Sequence, residues 1–106
     1  MSIVEQRTYV LKPEFGPADY FALYEKAGRK VQFDTLQGFL AYFTSEVGEL
    51  NAIVSLWGYP SFEARLERRA VLAANPVWQE FLREVRPMLQ RMENRLLIPT
   101  AFSNLS

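Results

Sequence analysis

The stretch from Gly38 to Tyr59, GFLAYFTSEVGELNAIVSLWGY, limits what this chain can fold into more than any other part of it. Two aromatic-rich extended runs meet at Val47-Gly48-Glu49, so the stretch reads as a hairpin carrying Phe39, Tyr42, Phe43, Trp57 and Tyr59. An isolated hairpin is at best marginal in water, and this one presents too much apolar surface to stand alone. It belongs in the middle of a buried sheet, covered by further strands, helices or a second subunit.

The flanking sequence supplies such elements. Residues 3–12 alternate with period two, placing Ile3, Glu5, Arg7, Tyr9 and Leu11 on one face of a first strand and Val4, Gln6, Thr8, Val10 and Lys12 on the other. Beyond Pro13, Gly16 and Pro17, the run from Ala18 to Val31 brings Tyr20, Leu23, Tyr24 and Ala27 onto one helical stripe that ends near Lys30 to Asp34. Pro60 stops the hairpin's second strand, and Ser61 is suited to cap a helix to Ala74 that groups Phe62, Leu66, Ala70 and Ala73. At Asn75-Pro76 a capping residue precedes a proline preformed for the first helical position, so a separate helix starts there. It turns Trp78, Phe81, Leu82, Val85 and Leu89 inward and is kinked or broken at Pro87. The run from Arg95 to Phe102 reads as a last strand whose Pro99 suits an edge.

The order is strand, helix, strand, strand, helix pair, strand, and all 106 residues form a single domain. An α+β sheet covered by helices on one side is the economical packing. With strands one and three as central neighbours, the uncovered face is expected to hold Glu5, Arg7, Tyr9, Ser55, Trp57 and Tyr59. A surface this aromatic is closed by a partner, and a symmetric homodimer pairing the two sheets is the expected solution.

Composition narrows the chemistry. The 12 Lys+Arg balance 12 Asp+Glu, so no basic footprint marks nucleic acid or an anionic membrane as a partner. Cysteine and histidine are both absent. Their absence removes disulfides, thiolate nucleophiles, Cys/His zinc sites, histidine-ligated haem and the usual general base near neutral pH. No cofactor and no metal are expected. The N-terminus enters the strand pattern almost at once, without a charged leader or long apolar run, which points to a cytoplasmic protein.

Four groups of residues carry candidate chemistry. Glu5, Arg7 and Tyr9 project to one face, where Arg7 can clamp an anionic or carbonyl oxygen, Glu5 can move a proton and Tyr9 can orient a substrate. The competing reading is a buried ion pair joined by a tyrosine hydroxyl. Ser55, Trp57 and Tyr59 form a second set, either the wall of a substrate pocket or core packing; Ser55 has no histidine to activate it as a nucleophile. Glu46 and Asn51 flank Gly48 and read as turn architecture. Arg65, Arg68 and Arg69 lie on adjoining turns of one helix and read either as an anion patch or, because Glu63 and Glu67 are interleaved with them, as a solvated, salt-bridged face, which is favoured, with Arg69 able to reach inward to substrate.

These residues resemble the NIPSNAP family across nearly the whole chain. The resemblance is carried by Glu5-x-Arg7-x-Tyr9-x-Leu11 with Pro13, and by the stretch Gly38 to Tyr59 with Ser45, Glu46, Gly48, Leu50 and Asn51 at its core. Leu56-Trp57, Arg69-Ala70, Asn75-Pro76-x-Trp78 and the closing Pro99 to Ser103 complete it. It implies a ferredoxin-like βαββαβ domain with a split second helical segment, a four-stranded antiparallel sheet and pairing into a dimeric α/β barrel. That superfamily spans cofactor-free monooxygenases, small isomerases and haem-handling proteins, so fold is shared and chemistry is not. The resemblance therefore implies a small-molecule-binding protein, with a cofactor-independent oxygenase or isomerase as one reading. The alternative is a non-catalytic interaction module whose sheet face is used for dimerisation. Many relatives carry histidine immediately before the Leu-Trp pair, where this chain has Ser55, so no imidazole role transfers. Longer animal members, with targeting segments and links to mitochondria and autophagy receptors, do not lend those roles to this domain.

Overall fold

The computed structural model describes residues 1–105. Its element order is β1 (Ile3–Leu11), α1 (Pro17–Leu23), a π-turn (Tyr24–Gly28), α2 (Arg29–Leu36), β2 (Phe39–Thr44), β3 (Ala52–Tyr59), α3 (Phe62–Ala74), α4 (Pro76–Val85), a 3-10 turn (Arg86–Met88) and β4 (Leu89–Leu97). The strands form one antiparallel sheet in the order β2-β3-β1-β4, the ferredoxin-like βαββαβ arrangement. Sheet and helices make two layers, and the molecule measures 19 Å along its shortest axis.

Local chemistry sets the boundaries. Ser61 accepts a hydrogen bond from the Ala64 amide, and Asn75 caps α4 by accepting from the amides of Val77 and Trp78. The run expected to end by Asp34 continues to Leu36, interrupted by the π-turn. Its buried members, Tyr20, Tyr24, Gly28, Gln32 and Leu36, are spaced by four throughout. In a regular α-helix a spacing of four drifts by about 40° per step, so the wider π-turn keeps the stripe on the sheet. A Cβ on Gly28 would stand 3.0 Å from the Phe81 ring, so a side chain there would hold α4 away.

The face assignment corrects the expectation from sequence. Glu5, Arg7, Tyr9, Ser55, Trp57 and Tyr59 share one face, as the alternation requires, but that face is the one beneath the helices. Trp57 packs edge-on against Phe33 and Tyr9 against Tyr20, while Glu5, Trp57 and Tyr59 are fully buried. Alternation determines which residues stand together; it does not say which side the helices cover. The helix-free face carries Val4, Gln6, Thr8 and Val10 of β1 opposite Gly58, Leu56, Val54 and Ala52 of β3.

Two further readings change. In α3 the expected inward stripe is turned out, with Phe62 and Leu66 exposed, and Arg65, Arg69 and Leu72 face the sheet instead. The last strand is Leu89–Leu97 rather than 95–102: helix α4 stops at Val85, Pro87 sits in the 3-10 turn, and Leu89 begins the strand. Its polar composition, LQRMENRLL, suits an exposed edge and conceals the strand from an apolar pattern search.

Gly38 and Gly58 meet where β2 joins β3. The Gly58 amide donates to the Gly38 carbonyl at 2.7 Å, and a Cβ on Gly38 would lie 1.9 Å from the Gly58 carbonyl oxygen. Gly38→Ala is expected to push β2 off its neighbour and to destabilise the fold by about 1–3 kcal/mol, read as a lower urea midpoint.

Candidate functional site

The register places one polar residue from each strand in a single row under the helices: Tyr42, Ser55, Arg7 and Asn94 on β2, β3, β1 and β4. A row of this kind through a core has to be satisfied internally. Glu5, one step along β1, provides the focus. Its Oε2 accepts from Arg7 Nη1 at 2.9 Å, Arg65 Nη2 at 2.8 Å and Asn94 Nδ2 at 2.7 Å. Arg7 also turns the other edge of its guanidinium to Tyr9, whose hydroxyl accepts from Nε at 3.0 Å and Nη2 at 2.9 Å. A planar guanidinium serves two partners at once, a task a lysine cannot reproduce.

Four buried polar atoms around this centre have no hydrogen-bond partner: Glu5 Oε1, Tyr59 Oη, Arg65 Nε and Arg69 Nη1. Arg69 stands near enough to Tyr59 and Glu5 to act on both electrostatically, and its guanidinium lies at the edge of hydrogen-bonding range of the Tyr59 hydroxyl, where it partly offsets the rise of that phenol. Three guanidinium groups thus surround one carboxylate, and among the described residues Arg65 Nε and Arg69 Nη1 are left without a hydrogen bond. Burial pushes the Tyr59 phenol up, and Glu5 adds to that effect, so Tyr59 is neutral and able to donate.

A second polar zone adjoins the first. The phenols of Tyr20, Tyr24 and Tyr42 are each pushed up chiefly by burial, Tyr20 and Tyr24 further by Tyr42 and Tyr42 further by Tyr9, and they stay protonated. Tyr24 donates to Gln32, and Trp57 Nε1 donates to Ser55 Oγ at 3.0 Å. Tyr42 packs edge-on against both Phe21 and Tyr24, closing this zone toward β2.

The structure brings Glu5, Arg7, Tyr9, Tyr59 and Arg69 together around one centre. Ser55 and Trp57 bond to each other beside it, and the Trp57 ring packs against Phe33 and Phe39. Glu46 is exposed at the turn, while Asn51, at φ 63°, donates from Nδ2 to the carbonyls of Lys12 and Phe15. Asn94 was hidden in the sequence, and Arg65 was noticed there only as one of the arginines of α3, without its inward role. Arg65 stands four residues before Arg69 and seven before buried Leu72, a helical stripe that charge counting treats as a solvated face; Asn94 lies in the polar edge strand. Arg68 is satisfied at the Leu36 carbonyl, and Glu63 and Glu67 are exposed. Among the described residues, no group of three or more acidic side chains is placed to hold a metal ion.

A ferredoxin-like domain with a buried, arginine-rich polar centre between sheet and helices is the class that fold and site define. The sequence profile of the NIPSNAP family matches residues 4–104, and the chain belongs to that family. A crystal structure of a NIPSNAP family protein from Agrobacterium tumefaciens superposes with a TM-score of 0.95 at 34% identity, covering 100% of both chains. A NipSnap homologue of Dictyostelium discoideum is 46% identical over 57 residues, which is 54% of this chain and 26% of that protein. The chain thus spans about a quarter of that curated relative. Two distant structures show the fold alone: a dimeric ferredoxin-like protein from an uncultured marine organism, TM-score 0.70 at 11% identity, and SnoaB, a cofactor-independent oxygenase from Streptomyces nogalater, TM-score 0.63 at 16% identity. No helix among the described residues is long and apolar enough to cross a membrane.

The charge on Glu5 couples this centre to stability. Burial works against its ionisation, but Arg65, Arg7, Asn94 and Arg69 outweigh it and bring the carboxyl from its ordinary 4.5 to about 2. A depressed folded value means that the contribution is fully present above 4.5 and is lost as pH falls through about 2. The shift corresponds to about 3 kcal/mol. Glu5→Gln is expected to be less stable than the parent at neutral pH, and the gap to narrow by that amount from about pH 5 to about pH 2. Urea unfolding at stepped pH checks it; a gap independent of pH would remove the linkage.

Proposed function

We propose that the chain binds a small oxygen-bearing molecule at the buried polar centre between β1, β3 and α3. The carrying observation is the set of four buried, unpartnered polar atoms on Glu5, Tyr59, Arg65 and Arg69. An unmade hydrogen bond at a buried group costs about 1–3 kcal/mol, more for charged groups, so a guest that satisfies several at once is strongly favoured. A carboxylate or carbonyl oxygen suits the Arg65 and Arg69 donors and the neutral Tyr59 hydroxyl, and a neighbouring hydroxyl can donate to Glu5 Oε1. This complementarity fits a hydroxy acid or hydroxyketone. Access is offered by a cleft of about 400 Å³ between α3 and α4, which Arg69 lines.

Glu5 supports binding rather than proton transfer. A carboxylate held at about 2 with three donors on one oxygen is a weak base, and it stays ionised at neutral pH. Its role in this reading is to hold Arg7 and Arg65 in position, with Arg7 and Tyr9 bracing the wall of the site. Oxygenase or isomerase chemistry would then rest on the electrostatics of the arginines and the phenols.

The test is a calorimetric titration with mandelate, phenylacetate and benzyl alcohol. Mandelate is expected to bind tightest of the three, with Arg69→Gln and Tyr59→Phe each weakening it about tenfold, the equivalent of one hydrogen bond to a charged group. Indifference to both substitutions would overturn the site.

A second reading concerns assembly, and a separate observation favours it. The helix-free side of the sheet and its border expose Phe43 at 51%, Leu97 at 41% and Ile98 at 83% beside half-buried Val54 and Leu56. We infer that two copies pair through this face, closing the apolar surface. Sedimentation at micromolar concentration is expected to give a dimer and Phe43→Asp a monomer; a monomeric parent chain would refute the pairing.

A further inference from the structure

The cleft between α3 and α4 is polarised along its length. The chain reverses at Asn75, so Leu72, Ala73, Trp78 and Gln79 stand near the turn, while Arg69, Leu82, Arg83 and Arg86 lie farther along the two helices. The turn end is apolar, floored by buried Leu72 and Trp78, and half-buried Leu82 continues that apolar surface along α4 to the level of Arg69. Gln79 is tied back, its Nε2 donating to the Ala73 carbonyl at 2.9 Å. At the other end, among the described residues, Arg69 Nη1 is buried without a hydrogen-bond partner and Arg86 makes no ion pair, while Arg83 is held by Glu80 at 2.7 Å. The lining contains no carboxylate, and the volume of about 400 Å³ falls within the range of small-molecule sites.

We propose that this cleft receives the body of an amphipathic carboxylate, a hydroxy acid bearing a medium-length hydrocarbon chain. Its head lies at Arg69, against the buried polar centre, and its chain runs over Leu82, Leu72 and Trp78 toward the turn. The proposal rests on the reading of the polar centre as a ligand site and adds the class of ligand. Arg86 supplies long-range attraction at the cationic end and is exposed, so its removal leaves the fold untouched. The apolar end supplies affinity in proportion to chain length, since each methylene buried is worth about 0.8 kcal/mol, a factor of roughly four.

Calorimetric titration of the full chain with 2-hydroxyoctanoate, glycolate, 1,2-octanediol and octyl phosphate tests this. The expected order places 2-hydroxyoctanoate at least tenfold tighter than glycolate and than the uncharged diol. Arg86→Gln is expected to weaken it at least threefold, and Ala73→Phe, which fills the turn end from an exposed position, to erase its advantage over glycolate. Glycolate binding that depends on Arg69 and Tyr59 with no gain from the chain would overturn this inference and leave the polar centre standing. Binding of 2-hydroxyoctanoate that is blocked by Ala73→Phe yet indifferent to Arg69→Gln and Tyr59→Phe would overturn both. Octyl phosphate binding tenfold tighter than the acid would overturn the carboxylate assignment.

Discussion

Everything on the helix-facing side of this sheet is arranged around the carboxylate of Glu5. One oxygen gathers donors from its own strand, from β4 and from α3, so a central strand, an edge strand and a helix are tied at one atom. The cost of such a centre is large desolvation, offset only if every charge is paired and hydrogen-bonded. Here the balance is incomplete by design of the register: three arginines meet one acid, and some of their donors have no protein partner. A purely structural ion pair would be expected to close on itself. Among the described residues this one leaves single atoms of Glu5, Tyr59, Arg65 and Arg69 unbonded, and of these residues Arg69 lines the cleft between α3 and α4.

The helix layer follows from the same requirement. Helix α3 turns arginines toward the sheet and leaves Phe62 and Leu66 half exposed, against the simplest hydrophobic pattern. The buried acid below supplies the reason, because an uncompensated carboxylate at that position would be far more costly than two exposed apolar side chains. Helix α4 behaves conventionally, with Trp78, Phe81 and Val85 buried over the π-turn. The difference between the two helices opens a wedge whose one end is cationic and whose other end is apolar. On the opposite flank the rings of Tyr20, Tyr24, Phe21 and Tyr42 pack on one another, and three of them line a shallower cleft of about 280 Å³.

Much of the fold was legible before the structure. The hairpin of Phe39–Thr44 and Ala52–Tyr59 was visible from its aromatics and glycine turn, and Asn75-Pro76 marked the break between helices because its chemistry is local. The edge strand was displaced by six residues at its start because LQRMENR carries little apolar alternation, while the proline-bearing run after it carries more. The clustering of Glu5, Arg7 and Tyr9 followed from period-two geometry alone. Arg65 and Asn94 did not, since both reach Glu5 from sequence distances of 60 and 89 residues.

What the sequence by itself determined was local and periodic: strands, caps, the turn at Gly48, the partition of β1 and β3 into two faces, and the absence of thiol and imidazole chemistry. Tertiary structure decided which face the helices would cover, and with it whether Glu5 is an interface residue or a buried anchor. The physical reason is that alternation is symmetric between the two sides of a sheet. Only the docking of helices, guided by arginines seeking a distant carboxylate, breaks that symmetry.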